Sequence, residues 1–278
     1  MELFFRHMSK YRKAWGSQKS SGNRFSSDLY LLRKASEIHS LLVDYCDYSG
    51  ETVVDIGCGA GELLEHLIPV LNIKRAIDYS ISMLDVCKAR IQLKYMLEAP
   101  RIEVGDIEYL FLLKEEIWIS TGALSQYSSC DEIMQALESF KSNKYARYLV
   151  LFDTIDPLRY HLLSCLRYNN IPSFPLIDME KALGKETGNK RKSFFACLKN
   201  ILREPILNTL LLMSFVQALK CLLGSANKVC RLPAELMGYG VMPCFWRKAS
   251  ADRGLICYLL SSREFEYRYH VVIGKIYQ

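Results

Sequence analysis

The run Val53-Val54-Asp55-Ile56-Gly57-Cys58-Gly59-Ala60-Gly61-Glu62-Leu63-Leu64 holds the residue types best suited to chemistry. A short β-branched stretch ends in an acid and a glycine-spaced turn, then passes into an apolar-periodic segment, the pattern of a strand, a tight loop and a helix start. Gly57, Gly59 and Gly61 let the backbone turn sharply and bring a ligand against bare amides, and a following helix would present its own unpaired N–H groups. Further along, Asp78 and Asp106 each follow an apolar strand-like run, and Thr121 follows Ile117-Trp118-Ile119-Ser120. Each acid also has a plainer reading as a turn residue or helix cap, and for Asp106 taken alone that reading is preferred.

These residues need elements to converge. Strand and helix signals alternate, with strands expected near 52–56, 73–77, 101–104, 116–120 and 147–153 and helices between them, the pattern of a parallel sheet. In such sheets ligands bind beyond the carboxyl ends of the strands, which is where Asp55, Asp78, Asp106 and Thr121 would all lie. Before the first strand, Ser27 or Asp28 would cap a helix packing through Leu31, Leu32, Ala35, Ile38, Leu41, Leu42 and Tyr45.

The loop spacing is Asp-x-Gly-x-Gly-x-Gly, not the G-x-G-x-x-G of dinucleotide-binding folds. It resembles the first motif of the class I S-adenosylmethionine-dependent methyltransferases. Lys74 to Leu84, including Asp78, Tyr79 and Met83, resembles that family's second strand with its ribose-holding acid, and Glu103 to Ile107 its third strand with the adenine-side acid Asp106. The resemblance implies S-adenosyl-L-methionine as cofactor, held by Asp55, Gly57, Cys58, Gly59, Gly61, Asp78, Tyr79, Met83, Asp106, Ile107 and Thr121. It also implies an α/β fold with a Rossmann-like, mostly parallel sheet, an antiparallel last strand and helices on both faces.

Glu116 to Tyr127 resembles the fourth motif of the small-molecule members. It lacks Asn/Asp-Pro-Pro-aromatic and Pro-Cys sequences, which counts against nucleic acid as acceptor and points to a small molecule. The carbon-terminal stretch, with Tyr239 and then Tyr267-Arg268-Tyr269-His270, resembles a subset of the family carrying an insertion after the fifth strand. Expected organisation is therefore an N-terminal arm and helix over 1–50, a core over 51–157 and 233–278, and a helical cover over 158–232.

Within the arm, Tyr11 and Trp15 are either part of a lid over the site or a solvated tail, with neither reading ahead. In the insertion, Ile206 to Leu223 is nearly apolar, but Asn208, Gln217 and Lys220 interrupt it, so an amphipathic helix fits better than a spanning one. Basic residues from Lys181 to Arg203 precede it, so peripheral contact with anionic membrane or RNA is an alternative. Nothing in the sequence sets an oligomeric state.

Methyl transfer from a sulfonium needs alignment of the acceptor above all, and orientation can supply about 7 to 11 kcal/mol. Where the acceptor loses a proton, His270 and Tyr239 are the candidate bases, with Asp153 and Asp156 behind them. Trp15, Tyr127, Asp153 and Arg268 are the candidate acceptor contacts. A second reading of His270, as a hydrogen-bonding group that ties down the sheet edge, is the preferred one. Strand alternation puts Arg268 and His270 on one face and Tyr269 on the other. A catalytically silent cofactor- or partner-binding module is the remaining alternative.

Composition fits this frame. The chain has 278 residues, 50% hydrophobic and 24% charged, enough for a full α/β core with one embellishment. Its ten cysteines show no C-x-x-C pair and no Cys/His cluster of zinc-site spacing, and no secretory signal opens the sequence. A cytoplasmic protein with reduced thiols and no metal is expected. The net charge of +6 selects no partner by itself.

Overall fold

A computed structural model of the chain describes residues 28–96, 99–157, 229–231, 239–262 and 268–276. The expected lid with Trp15 and nearly all of the expected insertion lie outside these residues.

The first helix, α1 (Asp28–Cys46), buries Leu31, Ala35, Ile38, Leu42 and Cys46 along one stripe, with Asp28 in its first turn complementing the helix dipole. Leu32 and Tyr45, expected on that stripe, are 53% and 40% exposed; Lys34 and Glu37 are buried instead. A loop leads to β1 (Val53–Ile56), buried on both faces as a central parallel strand must be. Next come the single-turn α2 (Leu64–Leu67), β2 (Ile73–Asp78), α3 (Ile81–Tyr95), β3 (Arg101–Val104) and a 3₁₀ turn over Ile107–Leu112. Then follow β4 (Ile117–Thr121), α4 (Ala123–Tyr127) and α5 (Cys130–Ser142), the last opened by a capping box in which Ser129 and Glu132 satisfy each other's backbone N–H.

After β5 (Tyr148–Ile155) the described chain resumes at β6 (Val229–Arg231) and β7 (Tyr239–Val241), which pair antiparallel with each other. This small ribbon was not foreseen, and it draws the last residues assigned to the insertion against the segment returning to the core. Pro243 starts α6 (Pro243–Ala251), where its missing N–H costs nothing. β8 (Leu255–Ser261) and β9 (Arg268–Lys275) complete the chain.

Seven strands form one sheet in the order β3-β2-β1-β4-β5-β9-β8. The first five are mutually parallel, and β9 runs antiparallel to both β5 and β8. Alternation along the strands divides the apolar side chains between two cores. Val54, Trp118, Leu151 and Val271 meet α5 and α6 through Leu137, Phe140, Phe245 and Trp246. On the other face Val53, Ile119, Phe152 and Val272 meet α1, α2 and α3 through Ile38, Leu42, Leu64 and Ile91. The parallel strands thus end together, with the loops after β1, β2 and β4 and the carboxyl end of β5 along one rim.

Candidate active site at the carboxyl ends of the strands

The loop after β1 folds back against β2. The N–H groups of Gly57 and Cys58 both donate to the Ile77 carbonyl, at 2.7 and 3.1 Å, and that of Gly61 donates to the Cys58 carbonyl at 3.1 Å. The Gly59 N–H donates to Asp78 Oδ2 at 2.9 Å, while Asp78 Oδ1 accepts the Ser80 N–H at 2.8 Å. The expectation of bare amides facing a ligand is therefore corrected for these four residues: their hydrogens are spent on the end of β2 and, for Gly61, within the turn. The helix expected to aim its N-terminus at the ligand is also only four residues long and starts three positions past Gly61.

The glycines have separate neighbours. A Cβ on Gly57 would stand 2.1 Å from the Cβ of Ala123, so α4 can pack against the loop only because that side chain is missing. On Gly61 it would meet the Cys87 Sγ of α3 at 2.7 Å. Gly59 has φ +56° and, within 4 Å of its missing side chain, only the Met83 Cε at 3.5 Å. That open side is the candidate cradle, with Met83 against it and the Asp78 carboxylate on the Gly59 N–H.

Asp55, buried beneath the loop, receives no hydrogen-bond donor among the described residues, and burial together with the nearby charge of Asp78 pushes its carboxyl up to about 7. Cys58 is no activated nucleophile, since the adjoining Cys87 thiol and burial push its thiol well above the usual range. Thr121 ends β4 on the same rim, its Oγ1 buried without a hydrogen-bond partner among the described residues. Tyr79 is half-buried beside Asp78, and Ile107 packs partly into the core. Asp106 caps the 3₁₀ turn, Oδ1 accepting the N–H groups of Glu108 and Tyr109 at 3.0 and 3.2 Å. Its turn role is thus the observed one.

The expectation of a cleft-facing base at His270 is corrected by its surroundings. His270 is 1% exposed, its ring 5.4 Å from that of Phe152. Nδ1 accepts the Asp153 N–H at 3.2 Å, so Nε2 carries the hydrogen and donates to Glu37 Oε1 at 3.1 Å. Both nitrogens are engaged within the protein, and neither is left to take a proton from an acceptor. The alternative reading, a structural hydrogen-bonding group, matches this geometry, although β8 and not β9 is the sheet edge. Asp153 and Arg268, expected at the acceptor, are buried too: Lys34 Nζ lies 2.6 Å from Asp153 Oδ1, and Arg268 Nη1 lies 3.6 Å from Oδ2. As alternation implied, Tyr269 faces the opposite core, its hydroxyl donating to the Val241 carbonyl at 2.5 Å.

Tyr127 and Tyr239 have backbones in α4 and β7, but their side chains, like all of Trp15, fall outside the described residues. Lys34 and Glu37 escaped the sequence reading. Their signal was present: an oppositely charged pair three residues apart, set inside the apolar stripe of α1 where water cannot reach it.

Among the described residues no helix is long and apolar enough to cross a membrane, and no group of three or more metal-ligating side chains occurs. No protein-family model and no curated protein matches the sequence. Solved structures do match. Magnesium protoporphyrin IX methyltransferase from Synechocystis PCC 6803, with bound SAH, is 16% identical and aligns over 98% of this chain and 95% of its own, with a TM-score of 0.49. The small RNA methyltransferase HEN1 is 14% identical over 88% of this chain and 25% of its own, at 0.49. The CurJ carbon methyltransferase is 12% identical over 95% of this chain and 59% of its own, with a TM-score of 0.50. Likeness at such identities is one of fold, and with the observed strand order it establishes that this chain has the class I methyltransferase fold.

Proposed function

We propose that the protein transfers a methyl group from S-adenosyl-L-methionine to a small-molecule acceptor by in-line displacement. The carrying observation is the polarity of the cradle. The Gly57, Cys58, Gly59 and Gly61 N–H groups are all spent within the protein, while the Asp78 carboxylate lies against Gly59 and Asp55 is buried close enough for its charge to be felt by that of Asp78. A diphosphate, the group that dinucleotide-binding loops hold with free amides, would find carboxylates there instead. A cationic ligand with hydroxyl donors fits.

In this reading the Asp78 carboxylate, which accepts the Gly59 and Ser80 N–H groups, also receives the ribose hydroxyls. Met83, Tyr79 and Ile107 offer apolar surface toward the adenine side, and Asp55 supplies negative charge beneath the aminoacyl end. The cofactor, when bound, supplies an activated methyl on a sulfonium. The protein's part is to orient the acceptor and exclude water, so no residue need act as nucleophile. The absence of nucleic-acid signatures after β4 supports the small-molecule acceptor.

Calorimetry with S-adenosylhomocysteine tests the first half. Asp78→Ala should weaken binding by about 10- to 100-fold, the loss of one or two hydrogen bonds to a charged group. Gly59→Val should abolish binding. Unchanged affinity in both folded variants overturns the assignment. Label transfer from methyl-labelled cofactor into separated small-molecule, RNA and lipid extracts tests the second half. Label found only in RNA or lipid would refute the small-molecule acceptor.

A further inference from the structure

Asp153 has φ +57°; two other described non-glycine residues, Asp47 and Met96, have positive φ, but Asp153 alone of the three lies within a strand. It sits at an irregularity in the sheet. Leu151 pairs with Val271, but the next pair is Thr154 with Tyr269, so Phe152 and Asp153 together oppose His270. That is a β-bulge, a device that re-aims the side chains beyond it.

Side chains close the bulge. The Asp153 N–H, displaced from the regular ladder, donates to His270 Nδ1. His270 Nε2 donates to Glu37, whose other oxygen accepts from Lys34 Nζ at 2.9 Å, and the same Nζ reaches back to the Asp153 carboxylate at 2.6 Å. Lys34, Glu37, His270 and Asp153 thus form a closed hydrogen-bonded ring that starts and ends on the bulged residue and spans α1, β5 and β9. All four are at least nine-tenths buried. Arg268 adds a second, longer ion pair to Asp153.

Residues directly opposite in an antiparallel pair share a face. With the bulge, Thr154 shares the face of Tyr269, Ile155 that of Arg268, and alternation carries Asp156 to the Tyr269 side. Without it, Asp156 would turn to the other side of the sheet. Asp156 is buried, and burial first, then the charge of Asp156, pushes the Tyr269 phenol well above its usual range.

We infer that Lys34, Glu37 and His270 are positioning residues: their ring with Asp153 holds the bulge that sets the carboxyl end of β5, and thereby the acceptor side of the cleft. The assignment to the acceptor side rests on the proposed methyl transfer; the structural effect of the ring does not.

The test uses the full chain and three variants. His270→Phe fills the volume beside Phe152 but offers the Asp153 N–H no acceptor. Amide exchange over residues 153–156 should rise roughly tenfold or more, and the Tyr269 ring resonances should shift, while the amides of β1 to β4 stay protected. Asp153→Asn, which keeps a hydrogen-bond acceptor and tolerates a left-handed backbone, should retain most of the protection. Glu37→Gln removes the charge facing Lys34 while leaving an acceptor for His270, and serves if His270→Phe does not fold. It should loosen residues 153–156 together with the first turns of α1. Wild-type protection at 153–156 in folded His270→Phe and Glu37→Gln, or equal loosening across β1 to β4, overturns the inference. Affinity for S-adenosylhomocysteine should stay within about threefold, because the β1–β3 cradle is untouched. A fall beyond tenfold would overturn the acceptor-side assignment. Failure of the wild type to bind that probe would refute the proposed function and leave the exchange result standing.

Discussion

At the scale of single residues, three glycines in one turn serve three neighbours, and their substitutions should separate. Gly57→Ala drives a Cβ to 2.1 Å from that of Ala123, and Gly61→Ala meets a thiol at 2.7 Å, whereas Gly59→Ala meets nothing closer than 3.5 Å. Thermal denaturation should rank the losses Gly57 above Gly61 above Gly59, with the last about 1 kcal/mol from its left-handed backbone alone. Asp55 yields a second prediction. Its carboxyl is raised to about 7, so the folded chain holds this proton more tightly than the unfolded chain does. Its contribution to stability is complete below the ordinary carboxylate range and is lost as pH rises from about 4 through about 7. A cationic ligand stabilises the charged form, so affinity for S-adenosylmethionine should rise with pH, by at most about tenfold per unit below 7, with proton release. Asp55→Asn should remove that slope and be the more stable protein at pH 8. Calorimetry in buffers of different ionisation enthalpy measures the proton count, and a flat profile in the wild type would refute the role.

Among the elements, α1 carries the clearest consequence. It is bound to the sheet by an apolar stripe and by one charged pair set within that stripe. Burial alone would raise the Glu37 carboxyl, but hydrogen bonds from His270 and Lys34 and the Lys34 charge bring it down from 4.5 to about 2. A lowered carboxylate stabilises the fold fully above its unfolded value and loses that contribution as pH falls from about 4.5 through about 2. Glu37→Gln should therefore lower the melting temperature at pH 7 and flatten stability across that acid window. Ile38→Ala, which empties a fully buried position, should cost about 2 to 5 kcal/mol at every pH. Urea titrations at pH 3 and pH 7 distinguish an electrostatic from a packing contribution.

For the whole molecule, both cores share one seven-stranded sheet, so damage to either face should be felt by both. Trp118→Ala on the α5 side and Phe152→Ala on the α1 side should each cost about 3 to 5 kcal/mol and lower one common unfolding transition, as calorimetry would register. Two separated transitions would show that the faces unfold independently. How much of this was legible beforehand follows from the range over which each signal acts. Strand runs, the glycine turn and the acids at strand ends are local patterns, and alternation alone put Tyr269 and His270 on opposite faces. By itself the sequence therefore determined the order of elements through the fifth strand, the α/β class and which segments meet at the rim, but not the β6–β7 ribbon. Tertiary structure alone decided where the Gly57, Cys58 and Gly59 amides point, because their acceptors, Ile77 and Asp78, belong to another strand. It likewise decided the inner face of α1 and the surroundings of His270. The partners of that imidazole lie 117 and 233 positions away, and a charged pair enters an apolar stripe only when a distant bulge supplies the groups that complete its hydrogen bonds.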